Sequence, residues 1–145
     1  MRTLAARAPH ISDVRLRDTQ VAYDKNRSPV NWYMGAYLLR FMELGDPNRN
    51  DANRRFLSWE NTVLVRAEDF DEAFEKVTAV GKRNATRYRG GAAGVPVKWQ
   101  YLGITELLPI YEELEDGAEI AWAEHRGRTL KSLQGLVKTK KELKQ

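Results

Sequence analysis

The stretch WYMGAYLLRF, residues Trp32 to Phe41, is the most apolar run of the chain. A membrane-spanning helix needs roughly 20 consecutive apolar residues, so this run predicts no membrane span. Bulky side chains occupy both alternating sets of positions, which is typical of a central strand that is covered on both faces. Gly35 removes side-chain bulk in the middle of the run, which permits a bulge or close packing against another backbone.

Length and composition indicate one small globular domain. The 145 residues suffice to bury a core, and fractions of 42% hydrophobic and 30% charged residues are ordinary for a soluble domain. The mean hydropathy of -0.61 indicates polar segments outside that core. Cysteine is absent, which excludes disulfides and thiol chemistry and fits a reducing cytoplasm.

The net charge of +4 is divided unevenly along the chain. Residues 1–29 hold six Lys/Arg and three Asp, residues 30–125 hold eleven Lys/Arg and sixteen Asp/Glu, and residues 126–145 hold seven Lys/Arg and one Glu. We therefore expect a basic N-terminal arm (1–29), an acidic compact domain (30–125) and a basic C-terminal helix or tail (126–145). Basic ends of this kind bind nucleic acid or an acidic partner, or simply keep a small protein soluble.

A second strand and a helix follow the first strand. Residues 45–57 are rich in turn formers and charges and predict a polar loop. Trp59 to Ala67 then alternates as a strand expected to pair antiparallel with the first. Asp69 resembles a helix cap, and the spacing of the apolar residues after it predicts an amphipathic helix over 69–83 that lies on the sheet, with Gly81 marking its end. These apolar residues are Phe70, Ala73, Phe74, Val77 and Val80.

The rest of the chain predicts a hairpin and a closing strand. Residues 87–104 read as a short strand, a glycine turn and a long strand. Residues 107–114 read as a short connection or helical turn, and 118–123 as an edge strand after the turn Asp116-Gly117. The expected fold is α+β, an antiparallel sheet of about four or five strands with one amphipathic helix on a face, plus charged terminal extensions. The opposite face is expected to be covered by the terminal segments or by a second copy.

The order of these motifs resembles the bacterial family called domain of unknown function 4288. The resemblance rests on Trp32-Tyr33, Trp59-Glu60 opening a valine-rich strand, the acid-capped helix ending near Gly81-Lys82, and the run Val97 to Ile104. It covers roughly residues 31–123 and implies a compact domain in a bacterial cytoplasm. The family implies no activity and no catalytic residue. The polar loop 45–57 and the two basic ends are additions to the family's pattern.

No catalytic or metal-binding constellation is recognisable in the sequence. Transition metals need several His, Cys or carboxylate ligands, and the chain has only His10 and His125. The acidic residues between Glu112 and Glu119 lack the spacing of a calcium loop. The glycines at 90–94 precede a strand rather than the helix that a phosphate loop requires. We therefore predict a protein that is not an enzyme and needs no cofactor.

Aromatic and basic residues suggest two kinds of partner. Large aromatics on strands usually belong to a core, but an exposed sheet face bearing some of the seven strand aromatics would bind protein. These are Trp32, Tyr33, Tyr37, Trp59, Trp99, Tyr101 and Trp122. Nucleic-acid binding is the alternative, and its candidates combine charge with a stacking aromatic: Lys82, Arg83, Arg87, Tyr88 and Arg89. The acidic central domain opposes it, because it would repel phosphates.

The sequence thus favours a non-enzymatic protein-binding module. It would be an inhibitor or immunity-type protein whose acidic surface covers a basic active site, or a subunit that docks its basic tails into a larger assembly. The candidate partner-binding residues lie in the polar loop and in the C-terminal segment: Arg49, Arg54, Arg55, Arg126, Arg128, Lys131, Lys138, Lys140 and Lys141. A homodimer is also open, and no membrane partner is expected.

Overall fold

The computed structural model describes residues 24–85, 87–90 and 94–145. Most of the predicted arm 1–29 lies outside these residues. The elements of the compact part are β1 (Trp32–Glu43), β2 (Ser58–Arg66), α1 (Phe70–Arg83), β3 (Arg87–Gly90) and β4 (Val95–Pro109). Two short helices follow near the C-terminus, α2 (Leu130–Gln134) and α3 (Lys140–Leu143).

The strands form one antiparallel sheet in the order β2-β1-β4-β3. The apolar run therefore forms a central strand, as predicted, with β2 on one side and β4 on the other. The four-residue β3 pairs with the beginning of β4, so that the predicted hairpin is present. The α+β class with an antiparallel sheet and a packed helix is confirmed.

Both faces of β1 are buried. Tyr33, Tyr37 and Leu39 face α1 and belong to the main core cluster, which β2, α1 and β4 complete. On the opposite face Met34 packs with Leu108 and Ile110 in a second cluster. The prediction of a doubly buried central strand is therefore correct.

The helix α1 begins and packs for identifiable reasons. Asp69 is its N-cap, because a side-chain oxygen accepts a hydrogen bond of 2.8 Å from the backbone N–H of Glu72. Gly81 does not end the helix, contrary to the prediction, since α1 continues to Arg83 and is capped by Asn84. Gly81 is buried instead, and a Cβ there would lie 2.4 Å from the ring of Tyr101. Its small size is used for close packing rather than for termination.

The long strand β4 contains two bulges. Its pairing with β1 skips Leu102 between the partners of Leu38 and Leu39, and skips Thr105 between the partners of Ala36 and Tyr37. Both skipped residues are exposed. The prediction of a connection or helical turn from residue 107 is wrong at its beginning, because β4 continues to Pro109.

The segment after the sheet departs further from the predictions. The turn at Asp116-Gly117 is present, with Gly117 at a φ of +84°. Residues 118–123 do not form the expected edge strand, and only Ala123 makes an isolated β-bridge. The C-terminal residues form two short helices rather than one, because Gly135 caps the first of them.

Ser28 ties the chain before β1 to the end of β4. Its hydroxyl donates a hydrogen bond of 2.5 Å to the carbonyl of Ile110, and its backbone N–H donates one of 3.0 Å to the hydroxyl of Tyr33. Burial raises the pKa of Tyr33, while the hydrogen bond from Ser28 acts in the opposite direction. In the described part of the chain no helix is long and apolar enough to cross a membrane.

Candidate interaction surface

The polar loop 45–57 is folded as a series of turns. The side chain of Asp46 accepts a hydrogen bond of 2.9 Å from the N–H of Asn48, and Asp51 accepts one of 2.9 Å from Asn53. Short Asp side chains favour such turns because they bond the backbone two residues ahead. That hydrogen bond from Asn48, followed by the contact with Arg54, holds the pKa of Asp46 below its ordinary value.

Arg40 fixes this loop to the sheet. From β1 its Nε donates a hydrogen bond of 2.8 Å to Oε1 of Gln100, and its Nη1 donates one of 2.7 Å to the carbonyl of Arg49. Its guanidinium also lies 4.6 Å from the ring centroid of Phe56. The loop is thereby held by a charged hydrogen bond and a cation–π contact at once.

Phe56 contacts a second arginine in addition to Arg40. The guanidinium of Arg54 is 5.4 Å from the centroid of its ring and pairs with the carboxylate of Asp46. Arg49 is half-buried and donates a hydrogen bond of 3.1 Å to the carbonyl of Asp46. Arg55 is exposed.

A cavity of about 480 Å³ opens between the loop and the end of β1. Its volume falls in the range of ligand pockets, roughly 300–1,000 Å³. Apolar and charged side chains both line it, chiefly Phe41, Met42, Phe56 and Leu57 together with Asp46, Arg54 and Arg55.

Three aromatics adjoin this cavity on the face of the sheet that carries α1: Trp59, which is exposed, and Phe41 and Trp99, which are half-buried. Trp59 packs on Trp99 at 4.9 Å between ring centroids, and Phe41 meets Trp99 edge-on at 5.3 Å. Trp59 is nevertheless 56% exposed and Leu57 is 58% exposed. At the C-terminal end of α1 its cap residue Asn84 donates a side-chain hydrogen bond to the hydroxyl of Tyr37. The sheet extends beyond this end of the helix.

We call this surface the aromatic end, defined by Phe41, Arg54, Arg55, Phe56, Leu57, Trp59 and Trp99. Its arginines Arg54 and Arg55 are among the candidates that the sequence predicts. Arg40 and Phe56 are not among those candidates, although a single arginine within an apolar strand is a visible signal. Leu57 both lines the cavity and is exposed, so that the cavity and the exposed apolar surface are continuous.

The remaining partner-binding candidates lie apart from the aromatic end, in the C-terminal segment. Every residue from 126 to 145 is exposed, and neither α2 nor α3 packs on another described helix or strand. Arg126 pairs with Glu124 at 2.9 Å, which raises the pKa of Arg126. The other candidates in this segment are Arg128, Lys131, Lys138, Lys140 and Lys141.

The nucleic-acid candidates fall on two consecutive elements. Lys82 and Arg83 are exposed in the last turn of α1. Arg87, Tyr88 and Arg89 lie in β3, whose backbone pairs with residues 95–98 of β4. The side chains of these three residues lie outside the described part of the chain.

The acidic segment 112–119 is a solvated turn. Its residues from Glu112 to Gly117 are exposed, and Glu112 accepts a hydrogen bond of 3.0 Å from the N–H of Glu119. Within the described ranges no group of three or more His, Asp or Glu side chains is arranged to hold a metal ion.

Fold and surface together define a small α+β domain with an antiparallel sheet that one helix covers only in part. The chain belongs to the family described as Domain of unknown function (DUF4288), whose family model matches residues 32–122. The resemblance seen in the sequence is thereby confirmed. Comparisons with curated proteins and with solved structures return no match.

Proposed function

We propose that this chain is a non-enzymatic protein-binding module of a bacterial cytoplasm, and that the aromatic end is its binding surface. The observation that carries the proposal is the exposure of Trp59 and Leu57 beside a cavity edged by Arg54 and Arg55. Trp and Arg are the side chains that most often dominate the energy of protein interfaces.

The aromatic end suits a partner that presents an apolar side chain next to a carboxylate. The apolar group would enter the cavity against Phe41 and Phe56, and the carboxylate would meet Arg55. Arg54 is already paired with Asp46, so that Arg55 is the better donor to a partner. A guanidinium suits this role because its planar donors match a carboxylate in pairs.

The surface is also held in place before binding. Arg40 attaches the loop to β1 and β4 through Arg49 and Gln100. Ordering an interface on binding costs about 0.5–1.5 kcal/mol for each immobilised side chain. Contacts already formed in the free protein reduce that cost.

The C-terminal segment provides a second contact. Leu130, Val137 and Leu143 are at least 66% exposed in a segment that carries seven basic residues. Short helices with unpacked apolar side chains gain stability when they dock on a partner. A subunit of a larger assembly would use this segment, whereas an inhibitor or immunity-type protein would use the acidic surface of 30–125.

Nonspecific nucleic-acid binding by the basic terminal segments is the second candidate. It is favoured by the exposure of every residue from 126 to 145, which leaves their basic side chains accessible to phosphates. Such binding falls steeply with salt. Contacts made by the aromatic end would survive moderate salt, because burial of apolar surface is not screened.

The test is affinity capture from a lysate of the source organism at low and high salt, with and without nuclease. We compare the full chain with Arg55→Glu, Trp59→Ala and a chain that ends at residue 125. The matched controls are Arg83→Glu, an exposed arginine on α1, and Phe74→Ala, a half-exposed aromatic on α1.

We expect one stoichiometric protein that withstands nuclease and high salt and is lost with Arg55→Glu and Trp59→Ala but kept by both controls. Recovery of nuclease-sensitive material alone, lost with Arg83→Glu or with the C-terminal segment, would overturn the proposal and support nucleic-acid binding.

A further inference from the structure

The strand β2 forms one edge of the sheet. It pairs with β1 over its whole length, and no described strand lies on its other side. The opposite edge is β3, which has only four residues. Short edge strands are one way in which proteins prevent pairing with another chain. The nine residues of β2 lack that protection.

The backbone groups that face outward from β2 can be identified. The N–H of Phe41 donates to the carbonyl of Leu57, and the N–H of Ala67 donates to the carbonyl of Asn31, both at 2.9 Å. The pairing between them is continuous. In an antiparallel ladder, residues alternate between bonding one neighbour and facing the other. The odd-numbered residues of β2 therefore bond β1, and the even-numbered ones face outward.

Among the described residues, a hydrogen bond covers only one end of this outward row. The carbonyl of Arg66 accepts a hydrogen bond of 2.5 Å from Nζ of Lys76. Between Ser58 and Arg66 there is no proline, no lysine and no bulge toward β1. Glu60, Thr62 and Leu64 thus present their N–H and C=O groups at an edge without proline, lysine or a bulge, where Glu60 and Arg66 are the charged residues.

The charged residues of β2 indicate that a second copy of β2 fits this edge. Glu60 and Arg66 carry opposite charges, lie on the same face of β2 and are equally distant from Val63. When a second β2 pairs antiparallel about a two-fold axis at Val63, each Glu60 lies directly opposite the partner's Arg66. Moving the axis to Thr62 would place Glu60 opposite the partner's Leu64 and remove both ion pairs.

The side chain of Arg66 is exposed and available for such a contact. Its guanidinium lies 4.9 Å from the centroid of the Trp32 ring on β1. Stacking uses the flat face of the guanidinium and leaves the donors in its plane for a carboxylate. Like charges directly opposite each other on two strands are destabilising, which makes the register testable.

We propose that two copies of this chain associate through β2, antiparallel about a two-fold axis at Val63, and form one continuous sheet. The sheet would contain eight strands, twice the four of one chain. The inference is independent of the proposed function, since it uses the outer edge of β2 and not Arg55 or the cavity.

The test is sedimentation of the full chain over a wide concentration range. We compare it with Glu60→Arg, with Arg66→Glu and with the double variant that carries both. Each single variant places like charges opposite each other twice, and we expect it to raise the dimer dissociation constant about tenfold or more. The double variant restores both ion pairs and should return to within about threefold of the original dissociation constant.

A second variant tests the backbone directly. In Thr62→Pro the lost N–H faces outward and takes no part in the β1 ladder, so we expect a folded monomer, confirmed by circular dichroism. Arg55→Glu should dimerise as the original chain does, which separates this inference from the proposed function. A chain that remains monomeric at millimolar concentration, or a dimer unaffected by both single charge reversals, would overturn the proposal.

Discussion

Val77 of α1 lies directly over Gly35 of β1, so closely that a Cβ on residue 35 would be 2.4 Å from Cγ2 of Val77. The second close approach, Gly81 against Tyr101, has the glycine on the helix instead of the sheet. The helix is therefore fixed at two points along its axis by complementary shapes. The aromatic end lies beyond the last turn of α1 and carries the exposed side chains of Leu57 and Trp59.

Gly35→Ala should lower the free energy of unfolding by about 1–3 kcal/mol, because the added methyl group overpacks a buried site. Urea unfolding measures the change. Gly45→Ala is the control, since a Cβ there has no atom within 4 Å. If Val77 is the obstacle, the double variant with Val77→Ala loses less stability than the sum of the two single variants.

Ser28→Ala should destabilise the protein by about 1–3 kcal/mol, the cost of leaving buried polar groups without a partner. The serine hydroxyl donates a hydrogen bond to the carbonyl of Ile110 and accepts hydrogen bonds from the N–H groups of Val30 and Trp32. Thermal unfolding followed by circular dichroism is the measurement. The exposed Ser132→Ala should change stability by no more than about 0.5 kcal/mol. Equal effects of the two substitutions would contradict the assigned role of Ser28.

Asp69→Ala should cost about 0.5–2 kcal/mol, because α1 loses its N-cap hydrogen bond. Asp71 lies in the first turn of α1 without a capping contact. Its replacement by alanine should cost less, about 0.3–1 kcal/mol from the helix dipole alone. Chemical denaturation of both variants shows which substitution costs more stability. A larger loss of stability for Asp71→Ala would contradict the assignment of Asp69 as the N-cap.

Asp46 should titrate below its ordinary pKa of 3.8. Because the pKa is lowered in the folded state, the ionised carboxylate stabilises the loop above the unfolded pKa. That contribution disappears as the pH falls through the folded pKa. Arg54→Ala should raise the pKa only part of the way, since the hydrogen bond from Asn48 is the larger cause. Carboxylate NMR measures both titrations, and a pKa at or above 3.8 in the original chain would exclude this arrangement.

The sequence predicts those parts of the fold in which the spacing of apolar residues is uninterrupted. The apolar run of β1 and the spacing of Ala73 and Val77 in α1 predict their elements and buried faces correctly. In β4 the inward-facing residues Tyr101, Ile104 and Leu107 are three apart, because each bulge adds a residue. A spacing of three is not that of a strand, so the predicted strand stops at Ile104 and misses the last five residues of β4.

Of the aromatic end, the sequence predicts only the charged residues. Arg54 and Arg55 stand out in the sequence as part of a polar insertion. The stacking of Trp59 on Trp99 depends on both strands pairing with β1, and the placement of Phe56 depends on the loop folding back onto Arg40. Such contacts between distant segments leave no local pattern.

The two bulges of β4 also determine where the strand tolerates deletions. Each bulge takes up one residue that has no partner on β1, so the paired residues on either side of it keep their faces. Deleting Leu102 would make Tyr101 and Gly103 consecutive, still opposite Leu39 and Leu38, and would leave Trp99 and Tyr101 on the core side. Deleting Thr105 would likewise leave Ile104 and Glu106 opposite Tyr37 and Ala36. This strand should thus tolerate a deletion at either skipped position better than a deletion of a paired residue.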